Sequence, residues 1–529
     1  MMAAAENAKR EGKSTADTQA EGISPNDIAG FTGFIHSISV ISFSLSLLLG
    51  SALILTSPSA NAQGIVADKS TPAQQQPTIM QTGNGIPQAN IQTPTAAGVS
   101  VNRYSHFAVN TNSANSLHTI DTGALGGMYA GKITLISTER DISVRNQGQW
   151  FASAGNVAVN AESKLVNTGT IAATGKNHTV SLHARNVRNS GTIASQDAVD
   201  RGLPVDSRNI DNRNGSLLSV NNTQQTVSDD LDNGHGKIAT NRQLSIHDKN
   251  QNTLALNNAD GTIQSAGNIS LQAKSLANNG TLTAGNKLDI TLADDFVVER
   301  DLTAGNQLNL STKGRLKNTH TLQAGHTLKL NAGNIDNQVT GKIIAEEQTS
   351  ITSEQHGDNR GLINSNGLTH IGTGQTLTNT GTDKIYGNHI ALGAQKLLNR
   401  EETAEGGTKA GTIAARKRLD IEAKEIHNQE GALLSSEGIF AIGNRLDEQH
   451  HAAGMADTFV NGSASLEVQG DALMSVRNMQ NINSYFTTEG ANLVLNRLMQ
   501  LLMQIQCNHS QKQTEIELLR TNCKDKLTE

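Results

Sequence analysis

The chain has 529 residues, 36% of them apolar and only 3% aromatic, with a net charge of −6 spread over scattered Lys, Arg, Asp and Glu. That length could hold three or four ordinary domains. The scarcity of rings excludes the aromatic-rich cores of large globular enzymes, and the absence of a basic stripe interleaved with aromatics excludes a nucleic-acid partner.

Between Asp27 and Asp68 there is no acidic or basic side chain, and residues 34–55 read "FIHSISVISFSLSLLLGSALIL", long enough to test as a membrane span. "SPSANAQ" follows, with Ala60 and Ala62 in the small-residue positions of a signal-peptidase site and cleavage before Gln63. Residues 1–62 are therefore expected to be a long signal peptide, a retained anchor being the alternative.

All seven prolines precede residue 205. Proline cannot donate to a ladder hydrogen bond, so the long proline-free remainder is compatible with continuous sheet. Within it, runs such as "KLDITL" and "QLNLST" alternate in polarity and end at Gly, Asn or Asp, which predicts short strands with frequent corners.

The period is the stronger signal. Gly267, Gly285, Gly305 and Gly325 sit in AG(N/H) tripeptides 18, 20 and 20 residues apart, and LTAGN occurs twice, at 282–286 and 302–306. An Asn-x-Gly corner recurs at Asn146/Gly148, Asn167/Gly169, Asn189/Gly191, Asn278/Gly280 and Asn379/Gly381. A twenty-residue period without 3.6-residue periodicity excludes ankyrin, tetratricopeptide and propeller units, and the leucine-rich-repeat frame is absent.

The fold predicted is all-β: a right-handed parallel β-helix whose coils of about twenty residues stack at the strand spacing. Gly would permit a positive-φ corner, and Asn would offer its amide to the corner above or below. Gly285 and Gly305, with Asn286 and Asn306, should occupy one corner on successive coils, Leu282 and Leu302 stacking inside.

Residues 63–150 are expected to precede the regular repeats, with the first coils at 151–199 and further repeats at 236–489. Segment 200–235 breaks the rhythm and predicts a loop or an irregular coil. From 490 to 529 apolar residues fall at helical spacing, including Leu498, Leu501 and Leu502. The only cysteines, Cys507 and Cys523, lie in this tail; a disulfide and two free thiols both fit.

Three stretches carry a family resemblance: "GNGIPQANIQTPTAAGVSVNRYSHFAVN" (83–110), "IDTGALGGMYAGKITLISTERDISVRNQG" (120–148) and the repeats up to "DALMSVRNMQNINSYFTTE" (471–489). Together they resemble the filamentous-haemagglutinin-like exoproteins of Gram-negative two-partner secretion, which include contact-dependent inhibition proteins. The resemblance implies Sec export, recognition of an amino-terminal secretion domain (here 63–150) by an outer-membrane barrel transporter, and a β-helix at the cell surface. By position Asn102, Arg103, Tyr104 and Phe107 match the secretion-domain motif; edge pairing with the transporter and simple capping of the first coil are both open roles. Only "TNSANSLHT" separates the first two stretches and no N-P-N-G occurs, so the secretion domain reads as internally deleted. The family's distal stalk and toxin are absent from this sequence, which reads as truncated.

Two clusters invite chemistry. His450 and His451, near Glu448 and Asp457, have enough donors for a metal, but adjacent strand residues point to opposite faces and no H-E-x-x-H frame is present; no metal or other cofactor is expected. Asp294, Asp295, Glu299 and Asp301 could pair for glycoside hydrolysis, yet a charged loop between two LTAGN copies needs no catalysis to explain it. The expected function is a non-catalytic, secreted or surface-exposed adhesin-like stalk with an unidentified receptor. The alternatives are the stalk of a contact-dependent inhibition toxin-delivery protein, a non-functional truncated product, and a β-helical polysaccharide-active enzyme.

Overall fold

The computed structural model describes residues 65–81, 87–93, 102–107, 118–137, 143–175, 177–196, 202–381, 384–404 and 407–483. The predicted signal peptide with Ala60, Ala62 and Gln63, and the tail with Cys507 and Cys523, lie outside these residues. The chain divides into two units, residues 1–353 and 354–529.

The described residues form an all-β parallel solenoid with coils of ~21 residues. In the first unit the coils from Val157 to Thr240 pair one long strand with one short one, as Val157–Asn167 with Thr170–Ala173, and later coils are built from three short strands. Thr281–Ala284, Lys287–Leu292 and Phe296–Val298 make one coil, and Leu302–Ala304, Gln307–Thr312 and Arg315–Asn318 make the next. Side chains alternate along each strand, so Leu288, Ile290 and Leu292 of "KLDITL" point inward and are at most 2% exposed.

Parallel pairing then stacks like on like. Leu282 lies beside Leu302 and Leu302 beside Leu322, while Leu288, Leu308 and Leu328 form a second column. Each such leucine, fully buried, contributes roughly 1.5–3 kcal/mol of transfer free energy. These columns replace the aromatic core that the composition excludes; Trp150, Phe296, Phe440 and Phe459 are the largest wholly buried side chains.

A second column is polar. In the first unit the side-chain N–H of Asn146 donates to the Oδ1 of Asn167, Asn167 to Asn189, Asn189 to Asn212, Asn212 to Asn233 and Asn233 to Asn258, at 2.6–2.8 Å. In the second unit Asn359, Asn379, Asn399, Asn428, Asn461 and Asn481 repeat the arrangement at 2.8–3.0 Å. Most of these asparagines are wholly buried. Each amide is satisfied by the coils on either side, which makes burial of so polar a column affordable.

Segment 200–235 departs from expectation. Its described part carries Leu203–Asp211, Ser216–Ser219 and Thr223–Asp232, paired in register with neighbouring coils, for instance Leu217 with Ile193 and Ile238. It is regular solenoid. Apart from the buried Asn221, its described Asn, Asp and Arg lie outward or in the ladder, while Leu203, Val205, Ile210, Leu217, Val227 and Leu231 face the core.

The second unit has longer strands that run through corners, Lys384–Ala404 and Thr412–Gln429. Two excursions leave the coil: an antiparallel pairing of Glu401–Ala404 with Gly407–Ala410, and a short one joining Arg445 to Ala453 and Leu446 to Ala452.

Candidate functional site

The repeat glycines sit at corners, for a different reason from the one expected. Gly267, Gly285, Gly305 and Gly325 do not adopt positive φ; a Cβ on each would lie 2.0–2.2 Å from a backbone oxygen of the preceding coil. Close approach of successive corners, not left-handed backbone, demands glycine there. Beside them Asn286 donates to Asn268 at 2.7 Å and Asn306 to Asn286 at 3.2 Å, an exposed amide row on the outer face.

Asn278 does not join the buried ladder. It is exposed with φ 50°, and its neighbour Asn279 is the buried residue. Four ladder positions carry a longer corner, Asn212/Gly215, Asn233/Gly236, Asn258/Gly261 and Asn428/Gly431, with Asn214, His235, Asp260 and Glu430 left-handed before each glycine. An Asn-x-x-Gly search at the coil period would have found them.

The secretion-domain motif is placed on its own small sheet. Tyr104–Phe107 pairs antiparallel with Ile65–Ala67. The Asn102 side chain accepts the Gln92 N–H at 2.8 Å. Arg103 reaches the Gln75 side chain at 3.1 Å, and its own N–H donates to the Gln75 carbonyl at 2.7 Å. The first turns after the predicted cleavage point are thereby tied to the motif.

The acidic segment 294–301 is a coil strand with its corners. Phe296 and Val298 are buried and Val297 is exposed. The carboxylate of Asp295 accepts the Arg315 N–H at 2.7 Å and that of Asp301 the Thr321 N–H at 2.9 Å. Both acids cap the backbone of the following coil, which accounts for their presence without an acid–base pair.

His450 and His451 lie in the second excursion of the second unit. His370 faces His450 with ring centroids 4.6 Å apart, and His389 faces His451 at 5.7 Å. Among the described residues no group of three or more His, Cys, Asp or Glu is placed to hold a metal ion. A shallow groove of about 430 Å³ in the first unit is lined by Glu162, His183, Arg185, Asp206, Arg208 and Lys249. Asp206 is shared there between Lys249 at 2.8 Å and His183 at 3.4 Å, so its charges largely answer one another.

The haemagglutinin repeat matches residues 151–201, 264–320 and 403–447, whose described parts are the coils above. The chain carries haemagglutinin repeats and is similar to filamentous-haemagglutinin-like exoproteins. Over 72 residues (13% of the chain) it is 46% identical to toxin CdiA of Yersinia pestis, covering 2% of that relative. It is 25% identical over 336 residues to the 16S rRNA endonuclease CdiA of Enterobacter cloacae subsp. cloacae (60% of the chain, 9% of the relative). With the deoxyribonuclease CdiA of Dickeya dadantii it shares 26% over 359 residues (67% and 10%). The chain thus spans a tenth or less of the length of these relatives. No solved structure matches.

Proposed function

We propose that the chain is the repeat-bearing stalk of a secreted or surface-exposed adhesin-like exoprotein of a Gram-negative bacterium, exported by two-partner secretion and without catalysis of its own. The carrying observation is that haemagglutinin repeats fall on coils whose inward side chains are consumed by stacking, which leaves the outer face to meet a partner. The 102–107 motif, tied to residues 65–75, is the segment offered to an outer-membrane barrel transporter; a two-stranded antiparallel sheet is an arrangement that an incoming strand can extend. Expression in a Gram-negative host with and without such a transporter tests the reading. Transporter-dependent surface labelling, followed by binding of the purified chain to host or bacterial cells, is expected; export that ignores the transporter, or a chain that adheres to no cell surface, overturns it.

A second reading is favoured by the names of the relatives, all CdiA proteins: the same stalk would serve toxin delivery in contact-dependent inhibition. Fusing a nuclease toxin domain to the chain's C-terminus and scoring growth of contacted neighbours separates the two roles.

A further inference from the structure

In the second unit one outward patch of the coil is covered. His370 pairs with Ala391, Ala391 with Asp420 and Asp420 with Ala441 across successive strands. Their sequence neighbours Thr369, Ile371, Leu419 and Ile421 are interior, so the four point away from the core. Yet Ala391 and Asp420 are 0% exposed and Ala441 is 2% exposed.

The cover is the excursion 444–454. Its Ala452 N–H donates to the Asp420 carboxylate at 2.7 Å, and its Leu446 N–H to the carboxylate of Glu422. A Cβ on Gly443 would lie 2.2 Å from the Ala453 oxygen, so the approach is close. At the tip Asp447 accepts from the N–H groups of Gln449 and His451 at 2.9 and 2.8 Å, and His450 is left-handed with φ 62°, a conformation that side chains rarely adopt.

We propose that residues 444–454 are an acid-released strap. The closed strap holds the His450 ring against His370 in a half-buried space, and protonation of His370 frees the strap and uncovers the Ala391, Asp420 and Ala441 patch.

The charges around this pair come from three elements. The strand of His389 brings that imidazole, and the next strand brings Arg418, Asp420 and Glu422. The strap itself brings Asp447, Glu448 and His451. Asp420 accepts from His389 Nε2 at 2.9 Å and from Arg418, so its negative charge is already answered by the Arg418 guanidinium and is not free to stabilise a cation at His370. Burial, then His450, then His389 push the His370 imidazole down to about 4.

A group protonated less readily when closed than when open supports closure fully above its ordinary value of 6.5 and loses that support as pH falls toward about 4. Burial tends to raise Asp420, but its bonds to His389, Arg418 and Ala452 outweigh it and hold the carboxyl low. Of these partners only Ala452 belongs to the strap, so the lowering is set mainly within the coil and does not drive release. Glu422, raised by burial, takes up its proton more readily when covered and opposes release. His370 carries the largest displacement of the three and sets the direction.

The test is hydrogen–deuterium exchange of the full chain at pH 7.5 and 5.0, corrected for the intrinsic pH dependence of exchange. Protection of the Asn444, Asp447 and Ala452 amides should fall by more than about 5-fold and by at most roughly 30-fold, the ratio that linkage gives for an imidazole returned wholly from about 4 to 6.5, while the Ile421 amide beneath stays protected. His370→Gln and His370→Asn should each shrink the fall. A fall under about 5-fold in the unmodified chain, a fall undiminished in both replacements, or equal loss at Ile421 overturns the strap.

Discussion

Asn258 donates its side-chain N–H to the backbone carbonyl of Asn279 at 2.6 Å, where every earlier rung of the first unit's ladder, ending with Asn233 to Asn258, goes to a side-chain oxygen. The amide of Asn279 is turned instead toward the next coil, its Oδ1 accepting the N–H groups of Glu299 and Arg300 at 2.9 and 3.2 Å. The ladder is thus a way of satisfying corner backbone, and the side-chain relay is one solution among two.

This assigns different costs to asparagines that look alike in sequence. Asn212→Ala removes the partner of Asn189 on one side and of Asn233 on the other and should cost roughly 1–3 kcal/mol for each buried polar group left unmade. Asn306→Ala, in the exposed outer row, should stay within about 0.5 kcal/mol. Denaturant unfolding of the two variants checks the contrast; equal costs would mean the buried row is dispensable.

Glycine corners make a second contrast. Gly305→Ala drives a Cβ to 2.0 Å from the Gly285 oxygen, backbone that can yield only by spreading two coils, and overpacking of that kind costs about 1–3 kcal/mol. Gly123→Ala meets nothing within 4 Å and has no positive φ, so its thermal midpoint should match the unmodified chain. A Gly305→Ala midpoint that also matched would show that the corners have room to separate.

How much of this was legible beforehand follows from what repeats in letters. LTAGN reports the pitch because Leu282 and Leu302, and the corners beside them, are paired rung on rung. The solenoid and its inward leucines were therefore readable. Segment 200–235 was not, because its corners lengthen by one residue to Asn-x-x-Gly and its outward positions carry Asp206, Arg208, Asp229 and Asp230; the inward set of Leu, Val and Ile was diluted below notice. The strap was invisible for another reason. Nothing in "EQHHAAGMAD" says that its histidines meet His370 and His389, residues 80 and 62 positions upstream, since that proximity depends on which face an excursion folds back on.

The acidic segment yields a third prediction. Phe296 is 1% exposed, stacked beside Leu316, while Val297 is 41% exposed. Phe296→Ala should cost about 3–5 kcal/mol. Val297→Asp should cost no more than about 0.5 kcal/mol, as expected for an outward site. Urea midpoints decide the matter, and a costly Val297→Asp with a harmless Phe296→Ala would put the strand in the opposite register.

Trp150 is the only tryptophan of the chain, so indole fluorescence reports on one coil. The ring is 0% exposed and its Nε1–H donates to the Thr122 hydroxyl at 2.8 Å. Its native emission should be blue-shifted and nearly immune to acrylamide, turning red only when the coil opens. Thr122→Val keeps the shape but leaves the buried indole N–H without an acceptor, a loss of about 1–3 kcal/mol. In a solenoid each coil leans only on its neighbours, so this loss should lower the fluorescence-detected midpoint more than the midpoint of the far-ultraviolet dichroism, which averages over all coils. Equal displacement of both signals would mean that the coils of Thr122 and Trp150 unfold together with the rest, and that the solenoid is one cooperative block.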